Sequence, residues 1–125
     1  MAKKEEPTRP LDVAASDLAR LTEDELGNAL AKIRAAIKDA DEEDLPRLRD
    51  VRDRLTKRLD RFVLADLGSI DRDPRIKDVV NQLAELTLNI QTAAREMRTV
   101  KMTIDRATEI LGYVDQFLRI LARFV

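Results

Sequence analysis

Residues 74–125 read PRIKDVVNQLAELTLNIQTAAREMRTVKMTIDRATEILGYVDQFLRILARFV, and no other stretch of the chain constrains the fold as much. Counted from Ile76, every seventh residue is apolar: Leu83, Ile90, Met97, Ile104, Leu111, Leu118 and Val125. The residues three places later are apolar as well: Val79, Leu86, Ala93, Val100, Ala107, Val114 and Leu121. Steps alternating between three and four put these residues on one stripe of a helix, and the run exceeds the three or four heptads that mark a coiled coil. Asp73 stands as N-cap and Pro74 as the first helical residue. Beyond Pro74 there is no proline, and Gly112 is the only glycine. The pattern predicts one helix over 74–124, roughly 75 Å long at about 1.5 Å per residue.

The two halves of this stretch differ. Residues 79–94 carry a single charge, Glu85, which predicts a helix packed on more than one side. In the last turns the polar residues Gly112, Asp115, Gln116, Arg119 and Arg123 share one narrow stripe, while Tyr113, Phe117, Ile120 and Phe124 join the apolar remainder. A two-stranded coiled coil buries only two positions per heptad, so this end asks for several neighbours.

Two shorter helices are expected upstream. Thr22 and Glu25 have the spacing of a capping box, and Leu21 and Leu26 that of the accompanying hydrophobic staple. Apolar residues then recur at Leu26, Leu30, Ile33, Ile37 and Ala40, which predicts a helix over 23–39 that tolerates Gly27 at a cost of about 1 kcal/mol. The acidic run Asp41-Glu42-Glu43-Asp44 and Pro46 place the next start near Asp44 or Leu45. Its stripe is Leu48, Val51, Leu55, Leu59, Phe62 and Val63. With Gly68 as the residue after the stop, the second helix is expected over 45–66. Residues 45–63 hold seven basic and three acidic side chains, a net +4, against seven basic and twelve acidic in residues 1–44, a net −5. Opposite charge in neighbouring segments suits an antiparallel hairpin.

Such a hairpin is long enough to cover about half of a 75 Å helix. Either the long helix folds back, or another chain covers the rest. Residues 76–111 contain neither Gly nor Pro to make a turn, which favours an unbroken helix. The expected fold is all-α: a helical hairpin packed on one very long C-terminal helix, in a coiled-coil or helical-bundle oligomer, dimer before tetramer. Residues 1–15, polar and carrying Pro7 and Pro10, are expected to be a flexible tail, and 16–125 a single helical domain. The expected oligomer interface is Met97, Val100, Ile104, Ala107, Leu111, Val114, Phe117, Leu118, Leu121 and Phe124.

The 125 residues include no His, Cys or Trp. That removes Ser–His triads, thiol nucleophiles, thiolate or imidazole metal ligands and disulfides. An acid–base pair would have to come from carboxylates, Lys or Tyr113, and no candidate pair stands out. Asp39-Ala-Asp41-Glu-Glu43 and Asp71-Arg-Asp73 have carboxylate spacing reminiscent of calcium loops but lack the sixth-position glycine and twelfth-position glutamate. Both lie where helix caps are needed. Neither a cofactor nor a metal is expected, and the chain is read as a non-enzyme. Two glutamates and a proline follow the N-terminal lysines where a secretory signal would be apolar, and no run of about 18 apolar residues occurs. A cytoplasmic setting is the expectation.

Three binding surfaces remain. The self-associating C-terminal helix would make the chain a scaffold, an adaptor or the binder of another protein. Alternatively, segment 104–125 could lie on a membrane, with Arg119 and Arg123 beside its apolar face, although Asp115 shares that stripe. The basic face of the second helix, Arg47, Arg54, Lys57, Arg58 and Arg61, could meet phosphates or an acidic partner. Asp50 and Asp53 interrupt it at ion-pairing spacing from Arg54 and Lys57, and no base-reading motif accompanies it, so nucleic acid is disfavoured. Met102 and Leu88 lie away from the apolar seam and hint at a second contact surface.

Overall fold

The computed structural model describes residues 14–64 and 67–124, the side chains of 63–67 excepted. All regular structure among them is helical: α1 Ala15–Asp39, α2 Leu45–Leu64, α3 Leu67–Arg72, a 3-10 segment Pro74–Asp78, α4 Val80–Arg95, α5 Val100–Leu121 and a closing 3-10 turn Ala122–Phe124. Most of the expected tail, residues 1–13, lies outside the described residues.

The expected long helix is broken. Residues 96–99 form a turn, and α5 folds back along α4 instead of extending from it. The chain reverses here without glycine or proline. No residue in the described backbone has positive φ, and the turn is made from ordinary conformations: Glu96 at φ −85°, ψ −1° and Thr99 at φ −119°, ψ 167°. A reversal built this way demands no residue without a Cβ. Thr99 caps α5 by accepting the Met102 N–H at 3.1 Å, satisfying one of the amides a new helix start leaves open. Across the turn, the Arg106 guanidinium meets Glu96 at 2.7 Å.

Folding back lets the apolar stripe cover itself. α1 and α2 form one antiparallel hairpin, α4 and α5 a second. Cross-contacts fix how the hairpins meet. Thr22 reaches Thr87, Glu25 reaches Gln91, and Lys32 reaches the Ala94 carbonyl, so α1 and α4 run parallel. Arg58 pairs with Asp115, and Phe62 packs on Phe117, so α2 and α5 run parallel. The result is a four-helix bundle in the cyclic order α1, α2, α5, α4. α2 and α4 are diagonal, and their connection crosses the end of the bundle through α3, which packs on α1. There Ile70 is fully buried, and Asp71 accepts the Ser16 N–H at 3.0 Å and also the Ser16 hydroxyl.

The first helix starts at Ala15, eight residues before its expected start, which corrects the helix boundary. Ala15, Leu18 and Ala19 are buried, so the segment gains enough tertiary contact to stay helical. Thr22 is therefore no cap. It is fully buried, and its hydroxyl bonds the Leu18 carbonyl one turn back at 2.9 Å, the alternative use of a helical threonine. Leu21, its expected staple residue, is 46% exposed.

α2 begins at Leu45 with Pro46 in its first turn, as the sequence predicts. Leu48, Val51, Leu55 and Phe62 of its expected stripe are buried; the side chain of Val63 lies outside the described residues. α2 is described as far as Leu64, and residues 65 and 66 of its expected span lie outside the described residues; Gly68 lies inside α3 without positive φ. Asp73 and Pro74 take their expected roles, but for a short 3-10 segment. Bonded by the Arg75 guanidinium and its backbone N–H, the Asp73 carboxyl is held down to about 2. Arg75 also lies 5.2 Å over the Phe124 ring, fastening the chain's last turn to this segment.

Candidate interaction surfaces

Of the residues expected to join chains together, Met97, Ala107, Leu111, Val114, Phe117 and Leu121 are buried within this chain's own bundle. Val100, Ile104, Leu118 and Phe124 are partly buried against the same core. One physical cause accounts for the whole set. Once α5 turns back, α4 and α2 supply the neighbours that the unbroken helix would have taken from a second chain. The same burial withdraws the apolar face of 104–124 from any membrane in this conformation. No helix among the described residues is long and apolar enough to cross one.

The basic face of α2 divides into three parts. Arg47 and Arg49 stand exposed at its N-terminal end. Arg54 is exposed and pairs with Asp50 at 3.1 Å, one turn away, as the spacing foresees. Lys57 and Arg61 are exposed, while Arg58 leans inward against α5 and donates to both carboxylate oxygens of Asp115, at 3.0 and 3.3 Å. This bidentate geometry holds α2 and α5 at a set distance.

Above that pair runs a groove of about 360 Å³ lined by Arg58, Arg61, Asp115, Leu118, Arg119 and Ala122. Three arginines from two helices share it with one carboxylate, and that carboxylate is already held by Arg58. The groove lies toward the C-terminal ends of both helices, where backbone carbonyls favour cations. Arg119 is the member that reading the sequence did not join to the α2 face. Its only local signal is its place on the narrow polar stripe of the last turns, which points nowhere until α5 is folded onto α2.

Arg119 also borders a second, open groove of about 420 Å³ between α4 and α5, with Glu85, Leu86, Asn89, Tyr113 and Gln116 on its walls. The outer side of α4 carries little charge: Asn81, Gln82, Leu88, Asn89 and Thr92 are exposed there, with Glu85 and, in the last turn, Arg95 as its ionised groups. Leu88 is 59% exposed, as its position off the seam predicts, whereas Met102 is half-buried.

Of the acidic clusters, Asp71 holds the start of α1 and Asp73 caps the next segment, whereas in the turn before α2 it is the Asp41 backbone carbonyl, not a carboxylate, that accepts the Asp44 and Leu45 amides. Among the described residues no three carboxylates gather closely enough to hold a metal ion.

No family model matches the chain, and no curated protein or solved structure shows significant similarity to it.

Proposed function

We propose that this chain is a non-enzymatic helical interaction protein whose α2/α5 groove receives an acidic segment of a protein partner. The observation that carries this reading is the convergence of Arg58, Arg61 and Arg119 on a groove whose one carboxylate is committed to Arg58. Arg61 and Arg119 are exposed and form no ion pair among the described residues, so they offer donors to an incoming carboxylate. A peptide fits better than a duplex, because Asp50, Asp53 and Asp60 interrupt the surrounding basic surface and would face phosphates along a longer footprint. The work would be that of an adaptor or a binder, in keeping with a cytoplasmic setting. Lipid contact through 104–125 would first require the bundle to open.

The test is titration of a decaglutamate peptide into the full chain at low salt. Arg61→Glu with Arg119→Glu should weaken binding by at least about tenfold, since like charges then meet across the groove. Arg47→Glu with Arg49→Glu, at the other end of α2, should leave it nearly unchanged. Equal losses from both pairs would reduce the site to diffuse charge and overturn the reading, as would tighter binding of a short DNA duplex than of the peptide.

Self-association is the second reading, and one observation favours it. The apolar heptads continue without interruption through residues 96–99, although the helix does not.

A further inference from the structure

The turn between α4 and α5 is made from Glu96, Met97, Arg98 and Thr99. Glu, Met and Arg are among the better helix formers, and Thr is only modestly poorer. No residue here has a backbone conformation closed to a helix through its side chain. The reversal is therefore enforced by what the helices pack against, while the local sequence prefers to continue as helix. Such disagreement between local preference and tertiary structure marks a place where two conformations compete.

Few contacts belong to the reversal itself. They are the Thr99 cap on Met102, the Arg106–Glu96 pair, and the carbonyls at the end of α4, bonded by the Glu96 and Met97 amides and by Lys32. In a straight helix the Ala94 carbonyl would instead accept the Arg98 amide, for which no bond is present now. Glu96 and Arg106 would then stand about 15 Å apart, so their pair is specific to the folded-back form.

We propose that two copies of this chain exchange α5. In the exchanged form α4 and α5 straighten into one helix over 80–121, about 63 Å long, and each α5 docks in the bundle of the other copy. The proposal rests on the self-association reading and names its route. The occupant must be a second copy. An α5 that leaves its bundle uncovers Ala107, Ile110, Leu111, Val114 and Phe117, and the vacated groove that matches those residues is the one in an identical chain. Every core contact outside the turn is then remade between copies, as in domain swapping generally. An apolar stripe that runs unbroken through a turn is what both conformations need: one stripe folded on itself, the other extended.

The experiment is refolding of the full chain at high and low concentration, with mass measured by light scattering after dilution. The exchanged dimer forms on refolding at high concentration and returns to monomer slowly, because release requires unfolding. Thr99→Ala removes a cap worth roughly fivefold in equilibrium, and two are lost per dimer, so the dimerisation constant should rise about 25-fold. Arg98→Pro should abolish the dimer, since proline in a helix interior is strongly disfavoured, yet its missing amide costs the turn no bond. Arg98→Gly provides a milder second variant with the same direction, and circular dichroism checks that both remain helical. A dimer that survives both Arg98 variants would leave self-association standing and refute the exchange. A monomer under all conditions, Thr99→Ala included, would refute both.

Discussion

The bundle closes along two parallel seams of opposite character. Along α1/α4 the contacts among the described residues are polar without an ion pair: Thr22 against Thr87 at 3.0 Å, Gln91 donating to Glu25, Lys32 on the Ala94 carbonyl, with Ala93 and Ala94 buried on the α4 side. Along α2/α5 they are large and charged. The Phe62 and Phe117 rings lie 5.3 Å apart, tilted by 56°, beneath the Arg58–Asp115 pair. The outward faces differ in the same sense. Both strongly exposed leucines among the described residues, Leu21 and Leu88, belong to α1 and α4, whereas Arg61 and Arg119 line the groove over α2 and α5. One seam positions helices through polar contacts and small buried side chains. The other supplies bulk inside and charge outside, and that charge is what a partner would meet.

The difference can be broken most sharply at its apolar centre. Phe117 is fully buried, and truncation to Ala leaves a cavity facing Phe62. Phe117→Ala should lower unfolding free energy by about 3–5 kcal/mol in urea denaturation, a large share of the 5–15 kcal/mol typical of a domain. A loss near 1 kcal/mol would mean that the α2/α5 seam collapses around the gap, and that its aromatic pair matters less than its geometry suggests.

How far these seams were legible in the sequence depends on how local their signals are. Leu48, Val51, Leu55 and Phe62 are spaced along one helix, and their burial follows from period alone. The same is true of the stripe from Leu83 to Leu121: its members are core, but the period does not say whose core. That was decided at residues 96–99, where a turn without positive φ leaves no glycine or proline to betray it. Thr22 carries a misleading local signal, because a hydroxyl followed three residues later by Glu looks alike at a helix start and in a helix middle. Only the burial of Ala15, Leu18 and Ala19 separates the two. The α2/α5 groove was legible in halves. Arg58 and Arg61 stood out as part of a basic cluster, and Arg119 as part of a polar stripe, but no short-range pattern connects residues 58 positions apart.

The α1/α4 seam holds a smaller and more particular interaction. Thr22 and Thr87 have two hydroxyl protons between them, yet three short contacts: Thr22 to the Leu18 carbonyl, Thr87 to the Leu83 carbonyl, and one to the other. One hydroxyl must turn from its own helix to bond its neighbour. The two carbonyls already accept backbone amides, so that switch is cheap. Thr22→Val and Thr87→Val should each cost about 1 kcal/mol. The double variant should cost less than their sum, because the interhelical bond is lost once. Strict additivity in thermal or urea unfolding would show that the two hydroxyls touch without bonding.

The Arg58–Asp115 pair should contribute less than its geometry suggests. The two side chains are 23% and 37% exposed, and water screens such pairs. A double-mutant cycle with Arg58→Gln and Asp115→Asn should give a coupling of about 0.5–1 kcal/mol at low salt. Raising the salt to about 1 M, where the screening length falls to about 3 Å, should remove most of it. A coupling insensitive to salt would place the pair in a drier setting than its exposure implies. Arg58 would then serve the fold more than the groove.

The smallest effect expected is at Leu88. Leucine and glutamine have nearly equal helix propensity, so Leu88→Gln in α4 isolates what the side chain gains from its surroundings. At 59% exposure it gains little, and unfolding free energy should change by no more than about 0.5 kcal/mol. Leu21→Gln in α1, at 46% exposure, should behave likewise. These two variants complete the contrast with Phe117, since all three residues are large and apolar but only Phe117 is fully buried. A loss above about 1 kcal/mol at either leucine, accompanied by a fall in mass in solution, would mean that the α1/α4 face is covered by another copy, and the roles assigned to the two seams would be reversed.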